Sequence, residues 1–141
     1  MTISAGLFVL ALILVCGAFF FFVFVSYPST KAIGNQYLRA VTEGDLEAAV
    51  RLANQHEDCR EWVAEAARQD IKEFGGDEIR NVSIQTEYND GSDDELQFAE
   101  IEFEHRDSDQ AEWQVVSMRL TTDYDVPGFR YLCGRQFRTG Q

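Results

Sequence analysis

Between Ile3 and Val25 the chain runs 23 residues without a charge, including four consecutive phenylalanines at 19–22. As a helix rising about 1.5 Å per residue, such a run extends roughly 34 Å, against a bilayer hydrocarbon core of about 30 Å. A helix apolar on every side for about six turns has no aqueous face to present. The run therefore predicts a transmembrane anchor over residues 1–27, with lipid contact through residues 3–25. A cleaved signal peptide would want a basic leader, a shorter apolar run and a small-residue cleavage site. No Lys or Arg precedes this run, and "FVFVSYPST" offers no such site. "LILVCG" resembles a lipoprotein cleavage box at Cys16, but Val15 is large for that position and nine more apolar residues follow. The expectation is an uncleaved single-pass signal-anchor, with Tyr27 at the interface and Pro28 at the helix end. Ser4, Ala11 and Ala18 recur every seven residues as a small-residue stripe that would let partner helices approach, opposite Phe20 and Phe24. Cys16 would pack as a small apolar residue.

All 24 acidic and all 12 basic residues fall after this run, so residues 28–141 carry the whole formal charge of −12. That balance excludes phosphate-backbone recognition, which needs clustered Lys and Arg. It also opposes contact with an anionic lipid surface. The charge is uneven: residues 87–112 hold eleven acids against Arg106, whereas residues 128–141 hold Arg130, Arg135 and Arg138 and no acid. Cys59 and Cys133 form a possible pair. With the short N-terminal tail, they place this domain on the extracytoplasmic side of a cell membrane. No Cys/His spacing predicts zinc, and no cofactor motif is present.

The periodicity after the linker is first helical. Ile33, Tyr37, Ala40 and Val41 mark one helix, which Gly44 ends. Asp45 caps a second, with Leu46, Ala49, Val50 and Ala53 inward. Asp58 and Glu61 predict a capping box for a third, carrying Val63, Ala67, Ile71 and Phe74, with Trp62 alongside, before Gly75-Gly76. The period then becomes two. Val82, Ile84, Thr86 and Tyr88 alternate, "NDGS" marks a turn, and Ala99, Ile101 and Phe103 oppose Glu100, Glu102 and Glu104. In "EWQVVSMRL" the apolar register moves from Trp113/Val115 to Val116/Met118/Leu120, which predicts a bulge or strong twist. "FRYLCG" reads as a last strand. Helices first and strands after give an α+β domain, about three helices on a curved antiparallel sheet of three to four strands.

"IGNQYLRAVTEGDLEAAVRLANQ" resembles the opening of nuclear-transport-factor-like (cystatin-like) domains: a short helix with an aromatic, "EGD", and an alanine-rich helix. In order of elements the likeness extends over residues 31–135. It implies a cone-shaped sheet, whose interior serves as a pocket in the isomerases and dehydratases of that family and has no known catalytic use in many other members.

An isomerase-like site would need a carboxylate or His tuned inside an apolar cone. Asp70, His56, His105, Tyr37 and Tyr88 are the available types. Asp70 lies nearest the inner face, no His–Asp pair follows from spacing, and no catalytic residue is assigned. The Glu100, Glu102, Glu104 ladder reads either as a solvated strand face, as a docking surface for a cationic partner, or as a row neutralised by the Arg-rich last strand. "EYNDGSDDE" does not match a helix–loop–helix calcium loop. The expected function is a non-enzymatic accessory or assembly subunit of a larger membrane complex, whose partners are other integral membrane subunits. The alternative is a tethered small-molecule-binding or isomerase-like cone. Cys59 and Cys133 are expected to be disulfide-bonded.

Overall fold

The computed structural model describes residues 2–26, 29–88, 97–125 and 129–137, with side chains at 5–21, 29–87, 97–123 and 130–137. Helix α1 spans Thr2–Ser26. Its described side chains, at 5–21, are all exposed. Among the described residues no helix is long and apolar enough to cross a membrane. The transmembrane anchor expected over residues 3–25, and the single-pass membrane class drawn from it, are corrected accordingly. Tyr27 and Pro28, and the side chains of Ser4 and Phe24, lie outside the described residues.

Three helices and four strands then form the α+β domain: α2 Thr30–Glu43, α3 Leu46–Arg51, α4 Glu57–Phe74, β1 Glu78–Tyr88, β2 Gln97–Arg106, β3 Gln114–Asp125 and β4 Phe129–Phe137. The Ser29 hydroxyl caps α2 by accepting from the Ala32 N–H at 3.2 Å. Gly44 stops it in the left-handed region, at φ 72°, while the Asp45 N–H returns to the Ala40 carbonyl at 2.8 Å. Asp45 in turn caps α3, accepting from the Ala48 N–H at 3.0 Å. For α4 the expected capping box is corrected. His56 is the N-cap and makes no side-chain cap bond, so Glu57 and Asp58 lie in the first turn. There their charge complements the positive end of the helix rather than a single N–H.

The strands form an antiparallel meander in the order β1-β2-β3-β4. Ala99, Ile101 and Phe103 of β2 face the core beneath the helices. Helix α2 lies so close that a Cβ on Gly34 would sit 3.2 Å from the Ile101 methyl. The bulge expected within "EWQVVSMRL" is absent, since β2 and β3 pair without a register shift from Gln97↔Thr122 to His105↔Gln114. Val116, Met118 and Leu120 face inward, while Val115 points outward and stays 64% exposed. The irregularities fall elsewhere, between Arg80 and Ser83 in β1 and between Thr121 and Thr122 in β3. In β1 the extra residue explains why Val82 is exposed while Ile84 packs on the core.

Cys59, in the first turn of α4, is disulfide-bonded to Cys133 of β4, with Cα atoms 4.7 Å apart. The pairing expected from sequence is therefore present. Cys16 is free and exposed.

Candidate functional site

A cone-shaped domain would hold a ligand on the helix-facing side of its sheet, and here side chains fill that side. Ile33 and Tyr37 from α2, Phe74 from α4, Phe103 from β2, Leu120 from β3 and Leu132 from β4 are all fully buried. Asp70 is fully buried among them. The 3.6-residue period that places Val63, Ala67 and Phe74 inward carries Asp70 to the same face.

A buried carboxylate needs partners, because the desolvation of a lone charge costs far more than a domain can spare. Asp70 has two. The Tyr37 hydroxyl donates to its Oδ2 at 2.5 Å, and the Arg135 guanidinium of β4 lies 2.8 Å from its Oδ1. Burial nonetheless raises the Asp70 pKa above the ordinary carboxylate range, with Tyr37 and Arg135 acting in the opposite direction. The Tyr37 hydroxyl is pushed strongly upward, first by burial and then by the neighbouring Asp70 charge. Arg135 also packs over the Phe137 ring, 4.3 Å from its centroid, and donates to the Ala66 carbonyl at 3.4 Å. A general base must reach a substrate proton. Asp70 instead faces a hydroxyl and a guanidinium within the buried core, an arrangement suited to locking α2, α4 and β4 together.

The other candidate acid–base groups do not converge on Asp70. The His105 Nδ1 lies 2.7 Å from Asp77 Oδ2, and its ring meets Phe74 edge-on at 4.9 Å. This His–Asp pair had no signal in sequence spacing; the register Glu78↔Arg106 brings the start of β1 beside the end of β2. His56 stacks on Tyr131 at 5.1 Å. The side chain of Tyr88 lies outside the described residues, as do residues 89–95 of the "EYNDGSDDE" stretch. Among the described residues, no group of three or more His, Cys, Asp or Glu is placed to hold a metal ion.

The three glutamates of β2 occupy the face of the sheet away from the core, as their alternation predicts. Their neighbours change what that face offers. Arg80 Nε reaches Glu104 at 2.5 Å and Asn81 Nδ2 reaches it at 2.8 Å, and these donors hold Glu104 below the ordinary carboxylate range. Arg119 lies 3.5 Å from Glu100 and also bonds Glu87. Glu102, between Ser83 and Ser117 in register, is exposed and has no cation beside it among the described residues. The neutralising arginines thus belong to β1 and β3. Of the C-terminal arginines, Arg135 enters the core, Arg130 reaches the Thr122 hydroxyl at 3.5 Å, and Arg138 lies outside the described residues. Arg80 and Arg106 flank the Trp113 ring at 3.9 and 4.7 Å, a cation–π stack that sequence reading missed. On α1, Ala11 and Ala18 of the small-residue stripe are exposed.

An open concavity of about 530 Å³ lies away from the core, between α2 and α3. Three arginines line it: Arg39, Arg51 and Arg130.

In comparisons with known proteins, no family model, curated protein or solved structure matches the chain.

Proposed function

We propose that the α+β domain is a non-catalytic interaction module, an accessory or assembly subunit of a larger protein complex. The observation that carries this reading is the filled interior between the helices and the sheet. Its interior volume is taken by aromatic and aliphatic side chains, and its buried carboxylate is held by Tyr37 and Arg135. The likeness to nuclear-transport-factor-like domains belongs to the same proposal, supported by the order of helices and strands. An isomerase-type member would need an open, solvent-reached cone, so the packing favours a non-catalytic one. The Cys59–Cys133 bond supports work in an oxidising, extracytoplasmic compartment, where such bonds persist.

Affinity purification of the full chain from its native source, with mass-spectrometric identification of what accompanies it, tests this reading. A stoichiometric protein partner is expected. A chain recovered alone, whose melting temperature rises with a small-molecule ligand, would overturn it in favour of the ligand-binding cone.

A further inference from the structure

We infer that the Asn81 side chain is an acceptor site for N-linked carbohydrate, an inference that rests on the extracytoplasmic reading of this domain. The chain has four asparagines, Asn35, Asn54, Asn81 and Asn89. Asn81 alone is followed two positions on by Ser or Thr, in Asn81-Val82-Ser83, with a residue other than Pro between them. That triplet is the acceptor sequence for a glycan on a carboxamide nitrogen. Such triplets recur by chance, so the place of this one in the fold decides its meaning.

Strand β1 is bulged at the triplet. Arg80 pairs with Glu104 and Ser83 with Glu102, so Asn81 and Val82 together oppose Phe103. Asn81 takes the left-handed backbone of the bulge, at φ 52°, a conformation in which Asn is enriched over other side chains. In a regular strand with Asn81 and Ser83 outward, the residue between them would turn to the core. The bulge lifts it out: Asn81, Val82 and Ser83 are all exposed, Val82 at 44%. β1 is also an edge of the sheet, and among the described residues no strand lies beyond it. The opposite edge is covered in part, where the Leu132 N–H of β4 donates to the Leu52 carbonyl at 2.8 Å. A bulky hydrated group therefore has room at Asn81 without displacing packed side chains.

The geometry at the acceptor atom is compatible with the bond to be made. A carboxamide nitrogen carries two hydrogens. Asn81 Nδ2 donates one to Glu104 Oε2 at 2.8 Å, and among the described residues the other has no acceptor. Transfer from a sugar carried on a lipid phosphate forms the Nδ2–C1 bond and breaks the C1–O bond to phosphate. The amide loses one proton and the lipid phosphate leaves, with no change of oxidation state. The N–H that remains still donates to Glu104, so the linkage and the hydrogen bond coexist. The donor and its transferase belong to the export route, and the Cys59–Cys133 bond supports passage of this domain through an oxidising compartment.

The test is tryptic mapping of the full chain purified from its native source, run with and without reductant. Cleavage after Arg80 and Arg106 yields peptide 81–106, which begins at the acceptor. A peptide heavier by a glycan is expected, with fragment ions placing the added mass on Asn81. Expressed in the same source, Ser83→Ala should lose that mass completely and Ser83→Thr should keep it. Ser83 is exposed, so neither change reaches the core. An unmodified peptide 81–106, or an added mass that survives Ser83→Ala, would overturn the site. The run without reductant separates this failure from that of the compartment. Unmodified Asn81 with Cys59 and Cys133 linked removes the glycan and leaves the extracytoplasmic reading intact. Unmodified Asn81 with both thiols free counts against both.

Discussion

The Arg135 guanidinium of β4 lies 2.8 Å from the buried carboxylate of Asp70 on α4. The pair ties the last strand to the helix layer at a point where the carboxylate is buried and the guanidinium nearly so. Replacing Arg135 by Met leaves that carboxylate without its cation, and removal of one member of such a pair costs about 3–5 kcal/mol. The loss should depend on pH. Burial raises the folded-state pKa of Asp70 above its unfolded value, so its favourable contribution is present below the ordinary carboxylate range and is lost as pH rises through the folded pKa. Arg135 opposes that rise, so Arg135→Met raises the folded pKa further and extends the loss to higher pH. Denaturant melts across the acid-to-neutral range should show the two proteins closest in acid and separating as pH rises. A constant separation would mean that Arg135 stabilises through packing on Phe137 alone.

Tyr37→Phe removes the hydroxyl that donates to the opposite carboxylate oxygen while keeping the ring in place. Asp70 Oδ2 then loses its 2.5 Å donor, a change worth about 1–3 kcal/mol for a buried acceptor. Equilibrium unfolding measures it. A variant as stable as the parent would show that another donor takes the position.

The disulfide spans 74 positions of sequence, and closing a loop of that size contributes about 4.5 kcal/mol in the chain-entropy treatment. The Cys59→Ser/Cys133→Ser variant should lose several kcal/mol and unfold at lower denaturant. Peptide mapping without reductant should recover the two cysteines in one linked pair; free thiols at both positions in native material would contradict it.

Gly44→Ala places a Cβ at φ 72°, where no neighbouring atom lies within 4 Å. The cost should therefore be that of the backbone alone, about 1–2 kcal/mol. Gly44→Asn should recover part of it, because Asn tolerates the left-handed region better. Thermal melts of the two variants settle the order.

Much of the architecture was legible because local chemistry carries it. Gly44 and Asp45 mark a helix stop and a helix start through single backbone angles and one capping bond. The alternation about Ile101 and Phe103 follows from pleat geometry. What was not legible depends on contacts between distant positions. Nothing near Asp70 in the sequence announces Arg135, which reaches it only once α4 packs on β4. The Arg80–Glu104 pair and the arginines around Trp113 depend on strand register, and a bulge at Asn81 determines that register. The capping box failed because His56, without a side-chain bond, occupies the position at which Asp58 was expected. The anchor was read from one uncharged run alone, and among the described residues no helix is long and apolar enough to cross a membrane.

The bond between Cys59 and Cys133 also has a mechanical consequence. A load applied between the two ends of the chain enters the ring at Cys59 and leaves at Cys133 through one covalent link. The strands β1, β2 and β3 lie wholly inside that ring and carry none of the tension. About 250 Å of contour, 74 positions at roughly 3.4 Å each, stays hidden from an extending force while the bond is intact. Helices α2 and α3 lie outside the ring and would be stripped from it first. Residues 134–137 of β4 also lie outside the ring, so the sheet meets the load only through the end of its last strand.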